Sequence, residues 1–98
     1  MIIIAGWIEV DPKDRDAFLD SRLDAVLATR SEKGCIEYVF AADPIELGRV
    51  RVFERWESLA DLEAHVALMR SGPSSRPPYA LVGRELHRYT VSDSAPLD

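Results

Sequence analysis

The chain has 98 residues, enough for one domain with a single core and little stability to spare. Its formal net charge is −5 with no block of Lys or Arg, which argues against nucleic acid or an anionic membrane surface as the main partner. Cys35 is the only cysteine, so an internal disulfide is excluded and a thiolate metal cluster is a poor reading.

Met1-Ile2-Ile3-Ile4 is apolar, but Glu9 and Asp11 end the run well short of a membrane span. A soluble, cytoplasmic setting is the expectation. Ile2 to Val10 is short and rich in β-branched residues, which predicts a strand. Ile2, Ile4, Gly6, Ile8 and Val10 share one face; Ile3, Ala5, Trp7 and Glu9 share the other. Both faces are largely apolar. Asp11-Pro12 opens a helix, with Asp11 as N-cap and Pro12 in the first helical position. Phe18, Leu19, Leu23, Val26 and Leu27 recur at helical spacing, and Gly34 is the expected stop.

Cys35 to Ala42 predicts a second strand with Ile36, Tyr38 and Phe40 on one face. Asp43 to Gly48 is a turn-rich connector of hairpin type. Arg49 to Glu57 is a third strand, with Val50, Val52, Glu54 and Trp56 on one face and Arg51, Phe53 and Arg55 on the other. Ser58 then caps a second helix from about Leu59 to Met69, and Asp61 can return a hydrogen bond or complement the helix dipole. Leu59, Leu62, Val66 and Met69 are its expected core stripe, with His65 at the border. The Pro-rich stretch 71–78 ends the helix in a loop, followed by one helical turn around Tyr79-Ala80-Leu81. Glu85 to Val91 is the last strand, and Ser92 to Asp98 reads as a disordered tail.

The order β-α-β-β-α-β predicts a ferredoxin-like α+β sandwich occupying residues 1–91. Two helices can cover only one face of a four-stranded sheet. The second apolar face of the first strand therefore calls for a cover, and a second copy packed sheet to sheet across a two-fold axis supplies it.

Gly34-Cys35-Ile36-Glu37-Tyr38, Phe53-Glu54-Arg55-Trp56-Glu57-Ser58 and Leu62-Glu63-Ala64-His65, placed in this order of elements, resemble the antibiotic biosynthesis monooxygenase family of the dimeric α+β barrel superfamily. The resemblance runs from Ile2 to about Val91. It implies a homodimer, a cavity between helices and inner sheet face, and small aromatic or quinol-like ligands. For the oxygenase branch it implies no cofactor, since the deprotonated quinol or phenol itself reduces dioxygen. In that branch the tryptophan at the position of Trp56 lines the cavity, and an asparagine stands where this chain has Val52. The haem-degrading branch carries an asparagine on the first strand and a haem-ligating histidine after the second helix. Here those places hold Gly6-Trp7 and Gly72-Pro73-Ser74-Ser75.

Within that frame His65 is the candidate base, because an unperturbed imidazole titrates near ~6.5. Its alternative is a structural bond to a neighbouring carboxylate or backbone group. Trp56 is a stacking wall or a core anchor; Tyr38 is an orienting donor or a packing partner of Phe40 and Ile36. Val52 and Glu54 share the Trp56 face, and Glu54 there needs a partner for its carboxylate. His87 reads as an edge or interface residue. With His65 and His87 as the only histidines, and no carboxylates at ligand spacing, no metal site is expected. The leading expectation is a cofactor-independent monooxygenase of a quinol or polyphenol. The alternatives are a non-catalytic dimeric ligand-binding or scaffold domain, and an isomerase or cyclase.

Overall fold

Alternating side chains rich in Val, Ile, Tyr and Phe set four strands of eight residues each in the computed structural model, which describes residues 1–72 and 79–98. They are β1 (Ile2–Glu9), β2 (Cys35–Ala42), β3 (Arg49–Trp56) and β4 (Gly83–Thr90). Helix α1 (Arg15–Thr29) follows β1, and α2 (Leu59–Ser71) follows β3. All pairings are antiparallel and the sheet order is β2-β3-β1-β4. This is the ferredoxin-like α+β arrangement that the order of elements predicts.

The inner face carries Ile2, Ile8 and Val10 from the first strand and its exit, Tyr38 from β2, and Val50, Val52 and Trp56 from β3. Two apolar clusters form on it. One joins Ile2, Tyr38 and Trp56 to Val26 of α1 and Leu62 of α2. The other joins Ile8, Val10, Val50 and Val52 to Phe18 of α1. Phe40 packs against both.

Helix α1 opens with a single 3-10 turn over Pro12–Asp14, and Asp11 accepts from the Lys13 N–H at 3.1 Å. The helix stops at Thr29, ahead of the expected stop. Gly34 instead turns the chain into β2 at φ +81°, where an added Cβ would meet the Asp61 side chain. Its inward stripe is Phe18, Arg22, Ala25, Val26 and Thr29, spaced four, three, one and three apart. Leu23 and Leu27 fall one position off that stripe and are 58 % exposed, contrary to the core role their spacing suggested.

Helix α2 is capped as its sequence predicts. The Asp61 N–H donates to Ser58 Oγ at 3.1 Å, and that hydroxyl donates to Asp61 Oδ2 at 2.9 Å, a cap worth about 1 kcal/mol. Its buried residues are Leu62 and His65, with Val66 partly covered. Leu59 and Met69 are exposed, so the expected stripe is corrected: only the first two turns of α2 lie against the sheet. A register shift between Cys35 and Glu37 corrects β2 in the same way. The extra residue turns Cys35 toward the Trp56 cluster and leaves Ile36 exposed. Tyr79–Val82 contains no helical turn; Val82 N–H donates to Glu9 O at 2.8 Å, which leads the chain straight into β4. The loop expected at 71–78 lies outside the described residues from 73 on.

The β2–β3 connector is held by charge. Asp43 accepts from the N–H groups of Ile45 and Glu46 at 3.0 and 2.8 Å and from Arg51 Nε at 2.8 Å, which together lower its pKa to about 2. The Arg15 guanidinium reaches the carbonyls of Asp43, Glu46 and Arg49 from the other side.

Gly6 sits mid-strand in β1 at φ +147°, opposite Val52 and Leu86. A Cβ there would overlap the Glu85 carbonyl of β4. Gly6→Ala is expected to destabilise the domain by about 1–3 kcal/mol through backbone strain alone. Urea titration followed by tryptophan fluorescence measures it; an unchanged midpoint contradicts the assignment.

Candidate functional site

The joint between β3 and α2 brings together two buried polar side chains, Glu54 and His65. The β3 alternation points Glu54 and Trp56 inward, and the Ser58 cap starts α2 so that His65 comes down on Trp56. The Trp56 and His65 ring centroids are 4.9 Å apart, and Tyr38 meets His65 edge-on at 5.5 Å. Trp56 is wholly buried and His65 is 3 % exposed.

Two side-chain hydrogen-bonded pairs organise the cluster. Trp56 Nε1–H donates to Glu54 Oε1 at 3.0 Å. His65 Nδ1 lies 2.9 and 3.2 Å from the two oxygens of Glu32, in the turn before β2. A carboxylate only accepts, so Nδ1 carries the proton and Nε2 holds the lone pair of the neutral ring. Burial raises the Glu54 pKa, and the Glu32 charge adds to the rise; the Trp56 hydrogen bond and the His65 charge work against it. Burial, followed by the charge of Glu54, pushes Tyr38 up to about 12, opposed by Arg22. Tyr38 therefore stays a hydroxyl donor at neutral pH.

The structure brings together four of the five residues singled out in the sequence: Tyr38, Glu54, Trp56 and His65. Val52 is placed in the neighbouring cluster, opposite Phe40 and Gly6. It also decides which way the charges of β3 face. Glu54 is on the helix side, whereas Arg55 pairs with Glu37 at 2.9 Å and Arg51 with Asp43 on the opposite face. Glu32 was missed. It is 33 positions from His65 in sequence, in a turn with no motif, and only the folded chain pairs them. Cys35 packs against the Trp56 cluster, where burial pushes its thiol pKa up and away from reactivity. His87 lies on the open sheet face, 3.4 Å from Glu85. Among the described residues no group of three His, Cys, Asp or Glu side chains is placed to hold a metal ion. Nor is any described helix long and apolar enough to cross a membrane.

A second feature lies beside this cluster. A groove of about 290 Å³ runs between α1 and β2, lined by Leu19, Leu23, Val26, Leu27 and Phe40 with Arg22 and Arg30. Arg22 stands 5.9 Å over the Phe40 ring. Arg30 Nε donates to the Tyr38 carbonyl at 2.9 Å.

A two-helix, four-stranded α+β domain of this topology is one of a known class. The sequence profile described as Antibiotic biosynthesis monooxygenase matches residues 1–69, and the chain belongs to that family. An uncharacterized protein of Synechocystis sp. is 36 % identical over 64 residues, 65 % of this chain. The match spans 44 % of that relative's length. Among solved structures, a Deinococcus radiodurans protein provisionally assigned as an antibiotic biosynthesis monooxygenase superposes with a TM-score of 0.77 at 18 % identity, covering 100 % of this chain and 99 % of that one. Rv0793 of Mycobacterium tuberculosis gives 0.75 at 22 % identity, covering 97 % and 98 %. The haem-degrader MhuD of the same organism, solved with two haems bound, gives 0.70 at 16 % identity, covering 98 % and 100 %. At these identities the likeness is one of fold.

Glu54 provides a pH test. Its folded pKa is raised above the ordinary 4.5, so its titration contributes no penalty while the carboxyl is neutral in both states. The cost sets in as pH rises from there through the raised value. The stability of Glu54→Gln relative to the native chain is therefore expected to be constant below pH 4, to rise as pH climbs through the raised value, and to level off beyond it. Thermal midpoints across pH 3.5–7.5 measure this; a difference that does not change with pH contradicts it.

Proposed function

We propose that this chain is a homodimeric, cofactor-independent monooxygenase of an electron-rich phenol or quinol. The observation that carries the reading is the Glu32–His65 pair set between Trp56 and Tyr38. With Nδ1–H held by a carboxylate, Nε2 is the basic nitrogen, and Glu32 stabilises the imidazolium that forms when it takes a proton. His65 accepts the substrate's hydroxyl proton. The phenolate then passes an electron to dioxygen. One oxygen atom ends in the product as a quinone carbonyl and the other leaves as water with two hydrogens of the substrate, so the product gains one oxygen and loses two hydrogens. Trp56 supplies an aromatic wall, Tyr38 a hydroxyl donor and Val52 part of the apolar lining. Glu54 fixes the indole through its hydrogen bond. The reaction requires the gap between α1 and α2 to widen, because His65 is 3 % exposed. The half of α2 beyond Val66 is exposed, which supports such a movement.

The same burial favours a second reading, in which His65 locks the turn before β2 to α2 and the domain binds ligands or serves as a scaffold without catalysis. Oxygen uptake with a panel of quinols and polyphenols separates them. His65→Ala is expected to lower turnover roughly 100-fold, the scale of a lost general base. An unchanged rate removes His65 from the mechanism, and no uptake by the native chain supports the second reading.

Dimerisation rests on the open sheet face. Ile3, Ala5, Trp7, Val39 and Phe53 project there from neighbouring strands and remain partly exposed in the single chain. A face of this kind fits a second copy of itself. Sedimentation at micromolar concentration is expected to give twice the 11.0 kDa protomer mass, and Phe53→Glu is expected to return it to the single value. A folded native monomer at that concentration overturns the dimer.

A further inference from the structure

We infer that the groove between α1 and β2 binds a planar aromatic molecule carrying a negative charge, with Arg22 and Arg30 selecting the charge. The groove holds about 290 Å³, near the small end of ligand sites at roughly 300 Å³. That suits a body of one or two rings. Its walls are Leu19, Leu23, Val26, Leu27 and Phe40, an apolar slot with one aromatic side chain. Leu23 and Leu27 are each 58 % exposed, and covering them with a ligand's rings removes apolar surface from water.

The charge argument is local. The protein carries −5 overall, yet this groove contains two arginines against the single carboxylate of Asp20. Arg30 is held through Nε by the Tyr38 carbonyl, which fixes its position while its terminal amino groups remain available for an anion. Arg22 stands over Phe40 and lies close enough to Tyr38 for its charge to oppose the rise in that hydroxyl's pKa. Two guanidinium groups at the edge of an apolar slot match a carboxylate or phenolate at the edge of an aromatic ring. Only where the oxygenase reading also holds does this become the place where the ionised substrate waits beside Tyr38. The binding inference stands without it.

The test is calorimetric titration with 2-naphthoate and with neutral 2-naphthamide, which has the same rings. Naphthoate is expected to bind saturably, at least tenfold tighter than the amide. Arg22→Gln is expected to remove at least tenfold of the naphthoate affinity while leaving amide binding at its native level, and Arg22→Lys to restore part of the naphthoate affinity. Amide-shift mapping is expected to place the ligand against residues 19–30 and Phe40. Equal binding of acid and amide, perturbations confined to the open sheet face, or no saturation at millimolar ligand each overturn the inference. Loss of oxygen uptake with naphthoate binding intact sinks the catalytic reading and leaves this one standing.

Discussion

Trp56 is the constraint around which the rest is arranged. It is the last residue of β3, has no exposed surface, and is paired in register with Ile2 on one side and Cys35 on the other. An indole buried to that extent must satisfy its N–H, and Glu54, two residues earlier on the same face, is the acceptor. That bond brings a carboxylate into the core. Burial, and after it the charge of that carboxylate, raises the Tyr38 pKa and keeps the hydroxyl protonated. Removing the indole would cost about 3–5 kcal/mol from the lost packing alone and leave a buried acceptor without its donor.

The strands and their order were legible because both rest on local rules. Short β-branched and aromatic runs between turn signals marked the strands to within two residues, and Ser58 with Asp61 announced the start of α2. What the sequence concealed had causes that are not local. Leu23 and Leu27 sit at helical spacing with Phe18 and Leu19, so a stripe drawn through them is as regular as the one the fold uses. Only the sheet decides which stripe turns inward. Ile36 alternates properly with Tyr38, yet one extra residue in β2 reverses it. His65 was legible as a candidate but not as a core residue, because its partner Glu32 lies in an unpatterned turn. Val52 was grouped with Trp56 by strand face, whereas four residues along a strand carry it into a different cluster.

The two surfaces of the sheet have separate duties. The inner one holds the polar–aromatic cluster and borders the groove along α1. The outer one carries the ion pairs of Arg51 with Asp43 and of Arg55 with Glu37 among apolar side chains. Of the two helices, α2 is thinly attached at one end, since it buries nothing beyond Val66.

The strand order β2-β3-β1-β4 also governs how this domain comes into being. The β2–β3 ladder closes over a six-residue connector and can form early. The first strand, by contrast, completes its hydrogen bonding only with the last, some eighty positions away: Ile2 faces Thr90 and Glu9 faces Gly83. A chain leaving the ribosome therefore carries an unfinished, isoleucine-rich edge until β4 has emerged. Late contacts of such long separation slow folding and leave that edge open to pairing with other chains.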